Sequence, residues 1–340
     1  MNLKPIKIKD IIWGDIVIDE PVVIELISAK AIQRLKGIDC GCYAPLYNNP
    51  RNLDHNLLKY TRFDHSIGVY WLLEQYGDDL EAQVSGLLHD VSHTAFSHGA
   101  DYFFDEGCQK SHSYQDDNHD SFIKNSAIPK ILEKYDLTLD RIIHEANFPL
   151  LENELPDICA DRIDYSLRSA LHSRDYTRDE VTDILNHLKT KDNQWYFDNL
   201  DYGQKYANLF KKMNDTYYSD ASAAILYTAM KGLMRYAIEK KYITKDDFLE
   251  DDEYVLNKIK AKMPFDNQLK RLYNNINNKQ VFRQVEGNTE AEPIYLKSRI
   301  IDPYVLEDGK FIKLSGINND WAKVVKEDLR PRKYYIQVTN

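Results

Sequence analysis

The stretch Leu87-Leu88-His89-Asp90-Val91-Ser92-His93-Thr94-Ala95-Phe96-Ser97-His98 decides how this chain is read. It closes an apolar helical run carrying Leu80, Val84, Leu87 and Leu88, then sets a histidine and an aspartate side by side. Polar side chains among buried leucines are costly unless something compensates them, and a divalent cation would compensate both at once. Neighbouring residues on a helix diverge by about 100°, so His89 and Asp90 need partners from other helices. His65, in Arg62-Phe63-Asp64-His65, and Asp161, in Asp161-Arg162-Ile163-Asp164-Tyr165, lie in helices of that kind. Imidazole with carboxylate suits a divalent metal, with Mn, Mg, Fe, Ni, Co and Zn all open.

Outward from this stretch the pattern is mainly helical. Ile6–Ile24 alternates around Gly14-Asp15 as a strand or hairpin, and Val23–Ile38 turns helical. Cys40–Asn56 is rich in loop signals. Helices are expected around His65–Leu73, Leu80–His89, Ala95–Phe104, His119–Tyr135, Leu137–Ala146, Pro156–Leu171 and Asp179–Leu188. Trp195–Phe197 suggests a short strand, and Gln204–Lys241 a long helix broken near Asp215. Beyond Glu250, polar helical residues lead into strand-like Gln280–Val285, Pro293–Ile301, Lys310–Leu314 and Tyr334–Val338. The expected organisation is a helical core over 1–250 with a small α+β region over 251–340.

The chain has 340 residues with 43% hydrophobic content, enough for a sizeable core. Its net charge of −10 argues against gripping a nucleic-acid polymer, while leaving a small phosphorylated molecule open. No stretch approaches the roughly 20 apolar residues of a membrane helix. Met1–Pro5 lacks the apolar run of a secretory signal, which predicts a cytoplasmic protein. Cys40-x-Cys42 is too closely spaced for a zinc knuckle, so Cys40, Cys42, Cys108 and Cys159 read as reduced thiols.

The order His65, His89-Asp90, Asp161 resembles the signature of the HD superfamily of metal-dependent phosphohydrolases. Gln33-Arg34-Leu35, Thr61–Val69, Leu87–His98 and Asp161–Tyr165 are similar to its deoxynucleoside triphosphate triphosphohydrolase (dGTPase-like) branch, as is Arg299-Ile300-Ile301-Asp302-Pro303. The resemblance implies an HD-domain helical core in which His65, His89, Asp90 and Asp161 hold the metal. It implies that His93, His98 and His119 line the phosphate site, with His98 near the line of attack and His119 as proton donor. It also implies that Arg62, Arg162 and Tyr165 meet phosphate oxygens or the sugar. Arginine is a natural fork for phosphate, which agrees.

The chain departs from that branch at several places. His119-Asp120 stands for a His-Glu pair, and Ser92 for a glycine. Cys40 and Ser169 stand where the branch places sugar-reading glutamine and aspartate, and Tyr47–Lys59 is an extended segment. Asp64 reads either as a carboxylate orienting a metal-bound histidine or as a solvated helix residue. Asp164 reads as an ion-pair partner of Arg168 one turn on, and Asp157 as a surface carboxylate. His112, His144, His172 and His187 read as surface or packing residues, and His55 as a residue that could overhang the pocket. The leading expectation is hydrolysis of a phosphate ester or anhydride of a small nucleotide, including a (d)NTP triphosphohydrolase activity. A phosphomonoesterase for another metabolite and a non-catalytic nucleotide-binding HD module are the alternatives. Homo-oligomerisation stays open.

Overall fold

In the computed structural model, which describes residues 3–41, 58–278, 281–287 and 291–339, the fold is mainly α. Cys42, His55 and most of Tyr47–Lys59 lie outside the described residues. The N-terminal alternation forms an antiparallel hairpin, Ile6–Asp10 with Gly14–Ile18, whose turn is closed by Gly14 at φ 77°. Two helices follow, Pro21–Ser28 and Lys30–Arg34.

Three helices position the expected ligands, His65 and Asp161 within a helix and His89-Asp90 just past the end of one. Arg62–Gln75 opens with a capping box: Thr61 Oγ1 accepts from the Asp64 N–H at 3.2 Å, and Asp64 accepts from the Thr61 N–H at 2.8 Å. Asp64 therefore caps the helix. Leu80–Leu88 starts at Asp79, which accepts from the Ala82 N–H at 2.8 Å, and ends where His89 begins. Ala160–Ser173 sets Asp161 in its first turn. Arg62–Gln75 packs between the other two, so ligands from separate parts of the chain meet across it.

Helix was expected over Ala95–Phe104, but only a short turn, Ser97–Gly99, and Ala100–Phe103 are helical. Tertiary contacts override the local pattern there. The Ala95 N–H donates to the Phe248 carbonyl at 2.8 Å and the Phe96 N–H to Asp252 at 2.6 Å. Phe96 and Ser97 take left-handed φ values of 62° and 50°. His119–Tyr135 splits into Tyr114–Lys124 and Ile128–Lys134, the second with a proline in its first turn. Gln204–Lys241 breaks where expected, into Leu200–Met213, a π-turn over Asn214–Tyr218, and Ala221–Glu239.

The hydrophobic core runs across position 250. Phe96, Tyr102 and Leu233 share one buried cluster with Val255, Ile259, Leu296 and Ile336. A four-stranded sheet also crosses it. Leu188–Lys191 and Gln194–Phe197 join Tyr304–Glu307 and Lys310–Lys313, with Gln194–Phe197 and Tyr304–Glu307 parallel. Tyr304–Glu307 and the helix Asn319–Asp328 were not among the expected elements. A three-stranded sheet, Phe282–Gln284, Arg332–Val338 and Pro293–Leu296, completes the C-terminal region. No helix among the described residues is long and apolar enough to cross a membrane.

The close approach of Arg62–Gln75 to Ala160–Ser173 depends on Gly68. A Cβ there would lie 2.0 Å from Asp164 Oδ1 and 2.3 Å from Arg168 Nη2. Gly68→Ala is expected to destabilise the protein by about 3 kcal/mol, as overpacking a rigid site does. Denaturant unfolding measures it, and an unchanged midpoint would show that the two helices can separate freely.

Candidate active site

His65 is held from behind. Its Nδ1–H donates to Asp164 Oδ2 at 2.8 Å, and the tautomer follows from that acceptor. Arg168 grips the same carboxylate through Nε and Nη2, at 2.9 and 2.8 Å, and reaches Asp10 through Nη1 at 2.7 Å. Asp164 is thus both the ion-pair partner of Arg168 and the group that aims His65. His89 is fixed in a simpler way, its Nδ1–H donating to the Gly86 carbonyl at 2.7 Å.

Both imidazoles therefore turn Nε2 toward the same point, where the two nitrogens stand 3.2 Å apart. Asp161 Oδ1 lies 2.9 Å from His65 Nε2 and 3.6 Å from His89 Nε2. Asp90 Oδ2 is 3.6 Å from each. Two facing imidazole nitrogens with two carboxylates attract positive charge strongly, whether a proton or a metal ion. Burial acts to lower the His89 imidazole, yet Asp90 and Asp161 outweigh it and hold it up at about 10. The donor set of two nitrogens and two carboxylates fits a divalent transition metal, whose ligand histidines need their far nitrogens tied down in this way. The four sequence-predicted ligands thus converge.

Asp90 also organises what surrounds it. Its Oδ1 meets His93 Nε2 at 3.1 Å and its Oδ2 meets Arg62 Nη1 at 2.7 Å. Burial would raise the Asp90 carboxyl, but Arg62, His89 and His93 hold it well below the usual range, so it stays ionised. Arg62 donates from Nε to Ser97 Oγ at 3.0 Å, and Ser97 Oγ donates to the Asp39 carbonyl at 2.6 Å. Arg62 was expected to meet phosphate; here its guanidinium is engaged by Asp90 and Ser97.

These groups line a cavity of about 360 Å³. The His98 ring stands between His93 and His112, with centroids 4.9 and 4.8 Å away. His98 Nδ1 has no hydrogen-bond partner and lies 3.7 Å from Asp101 Oδ2. Tyr102 donates to the Tyr295 carbonyl at 3.0 Å and so accepts from His112 Nε2–H at 3.0 Å, which leaves His112 Nδ1 bare and unpartnered. Burial keeps His98 and His112 well below the usual histidine range, with Arg299 adding to both, and burial with Arg62 pushes His93 down to about 4. Asp101 goes the other way, up to about 6 through burial. His98, Asp101 and His112 could in principle hold a cation of their own. The neighbouring charges of Arg62, Lys297 and Arg299 disfavour a cation there.

The structure corrects one expectation. His119, expected as the proton donor, is not on the cavity wall; its Nε2–H donates to the Leu88 carbonyl at 3.1 Å. The helix Tyr114–Lys124 turns it toward the back of Leu80–Leu88. His112, read as a packing or surface residue, occupies the wall from a left-handed turn at φ 54°. It sits in the polar run Gln109–Asn118, where periodicity offers no signal of facing. Arg162 lines the cavity, tied to Glu152 at 2.8 Å and to the Cys159 sulfur at 2.8 Å. The Tyr165 hydroxyl on the same wall is buried without a partner. Lys297 and Arg299 complete a cationic wall, with no carboxylate paired to either among the described residues. Lys297 carried no sequence signal, because it follows a strand otherwise read as core.

A family model described as HD domain matches residues 62–168. An uncharacterized protein of Bacillus subtilis, YdhJ, is 31% identical over 320 residues, covering 94% of each chain. The metal-dependent phosphohydrolase cns2 of Cordyceps militaris is 33% identical over 190 residues, 56% of this chain and 52% of its own. Among solved structures, a hypothetical protein from Aquifex aeolicus is similar in fold, with a TM-score of 0.71 at 18% identity over 98% of this chain and 96% of its own. A phosphohydrolase from Bacteroides thetaiotaomicron gives 0.68 at 15% identity, covering 99% and 100%.

Two outcomes follow from the geometry. Metal analysis of the native protein should find a divalent ion that Asp90→Ala loses, while Asp164→Asn weakens its binding by about 10- to 100-fold; equal stoichiometric metal in the native and Asp90→Ala proteins would sink the ligand assignment. His98→Ala and His112→Ala should keep the metal and slow turnover by about 10²-fold, whereas His119→Ala should lower stability with little effect on turnover. A rate loss in His119→Ala that exceeds the loss in His112→Ala would reverse the roles of these two residues.

Proposed function

Because the chain belongs to the HD-domain superfamily of metal-dependent phosphohydrolases, we propose that it hydrolyses a phosphate ester or anhydride of a small nucleotide. The observation that carries this reading is the part of the cavity lining where Arg162, Lys297 and Arg299 gather, Lys297 and Arg299 with no carboxylate paired to them among the described residues, beside Tyr165, Tyr218 and Tyr227. Clustered guanidinium and ammonium groups match phosphate oxygens, and tyrosine faces match a base or sugar. A divalent ion at His65, His89, Asp90 and Asp161 would supply Lewis acidity and a water of low pKa.

The protein's own groups do the rest. Arg62 keeps Asp90 ionised and in place. His98, neutral at physiological pH, offers a lone pair that can take a proton, and Asp101 lies next to it to orient the ring. His112 presents Nδ1 to the cavity with its other nitrogen anchored on Tyr102, so it can carry a proton to or from a leaving oxygen. Burial pushes Lys297 down to about 8, with Arg299 contributing, so an anion bound there restores its full charge.

Within this reading, a (d)NTP triphosphohydrolase with weak sugar discrimination fits best. Ser169 is buried and hydrogen-bonded to Tyr60 Oη at 3.0 Å, away from the wall, and Cys40 on the wall is a poor partner for a hydroxyl. A site without strong partners for a sugar hydroxyl has little with which to reject the wrong sugar.

The test is a screen of purified protein with Mn, Mg, Ni and Co against nucleotide and sugar-phosphate panels, with products identified by mass. Nucleotide hydrolysis releasing phosphate or triphosphate is expected, with matched ribo- and deoxyribonucleotides within about a thousandfold in kcat/KM. Turnover of sugar phosphates alone would replace this reading with a phosphomonoesterase, and binding without turnover would replace it with a regulatory module. The pH profile gives a separate check. Lys297 is charged below its lowered pKa and neutral above it, so kcat/KM should fall above about pH 8. Lys297→Arg should move that limb upward, and an unmoved limb would remove Lys297 from substrate binding.

A further inference from the structure

The segment Lys297–Arg299 lies beyond the strand Pro293–Leu296 and belongs to no regular element, so no ladder of hydrogen bonds fixes it. Its burial alternates from one residue to the next, as successive side chains that point to opposite sides do. Lys297 and Arg299 are half-buried on the cavity wall, while Ser298 between them is buried on the far side. What holds Ser298 there therefore aims both cations.

That holder is Asn214, a fully buried residue 84 positions earlier. Its Nδ2 donates to Ser298 Oγ at 3.1 Å, with Asp215 Oδ1 at 3.5 Å, and its Oδ1 accepts from the Arg299 N–H at 2.9 Å. Asn214 also opens the π-turn Asn214–Tyr218. Its carbonyl accepts from the Ser219 N–H at 3.0 Å, five residues on, and from Ser219 Oγ at 2.9 Å. The extra residue in that turn carries Tyr217 and Tyr218 onto the cavity wall. Single π-turns inside helices are rare and concentrate at functional sites. The turn is pinned from outside as well, since Tyr334 Oη donates to the Ser219 carbonyl at 2.7 Å.

We propose that Asn214 is a positioning residue that sets the spacing between the cationic wall, Lys297 and Arg299, and the tyrosine wall, Tyr217 and Tyr218, and so governs affinity for the phosphorylated substrate. This rests on the reading of Lys297 and Arg299 as the phosphate site. Asn214 touches neither substrate nor metal ligand; it acts through the backbone of Arg299 and the side chain of Ser298. Its amide is suited to this because it offers a donor and an acceptor at once. Asn214→Asp keeps the acceptor and loses the donor, and Ser298→Ala removes only the Ser298 bond.

The test measures affinity of the metal-loaded full chain for inorganic triphosphate by calorimetry, alongside KM and kcat for the best substrate of the screen. Asn214→Ala should weaken triphosphate binding and raise KM by about tenfold, with kcat within about threefold and metal content unchanged. Ser298→Ala and Asn214→Asp should fall between Asn214→Ala and the native protein, and they carry the test if Asn214→Ala fails to fold. In a Lys297→Ala/Arg299→Ala background, Ser298→Ala should cost no further affinity, which a merely structural role would not produce. If Lys297→Ala/Arg299→Ala binds triphosphate as the native protein does, the phosphate reading fails and this inference with it. If that variant loses affinity while the Asn214 and Ser298 variants keep it, or if their losses add fully to it, the inference alone is overturned.

Discussion

The hydrogen bond from His65 Nδ1–H to Asp164 is the constraint on which the site depends. It fixes the orientation of His65 and so turns Nε2 toward the point where Asp161 and His89 meet it. Asp164 can stay ionised in a fully buried position because Arg168 grips both its oxygens and is itself tied to Asp10 on the N-terminal hairpin. Breaking such a network by removing one member strands a buried charge, which costs far more than the pair is worth when intact. Gly68 belongs to the same constraint, because only a residue without a side chain lets these groups come together beneath the helix.

Beyond this centre, charge changes sign across a short distance. Asp90 and Asp161 on the cavity lining make one part of it attractive to a cation. Arg162, Lys297 and Arg299 make another a place for an anion. The neutral histidines His93, His98 and His112 stand between, where burial and neighbouring arginines remove their charge but leave lone pairs available. Such an arrangement suits a phosphorylated molecule with its reacting bond toward the acidic side. Arg62 differs from the C-terminal cations Lys297 and Arg299 in that its guanidinium is engaged by Asp90 and Ser97.

The C-terminal third is built into the site. Its strands extend a sheet begun by Gln194–Phe197, and Asp252 accepts hydrogen bonds from the Asp39 and Phe96 N–H groups at 2.9 and 2.6 Å, holding the turn that leads to His98. Cations, catalytic turn and core are thereby joined, although the residues involved are far apart in sequence.

The sequence by itself determined the helical fold, the hairpin, the break near Asp215 and the choice of His65, His89, Asp90 and Asp161 as candidate ligands, four residues that the structure brings together. Apolar periodicity and an adjacent His-Asp pair amid buried leucines are local signals, and the buried polar pair demands compensation wherever the helix packs. The tertiary structure alone decided which histidines line the cavity and which arginine is engaged by a carboxylate. His112 and His119 differ only in the direction their backbones turn them, and Arg62 differs from Arg299 only in whether a carboxylate lies within reach. Neither property is carried by spacing along the chain. Both arise when distant backbone donors, such as those captured by Asp252 and Asn214, bend segments out of the conformation their own residues favour.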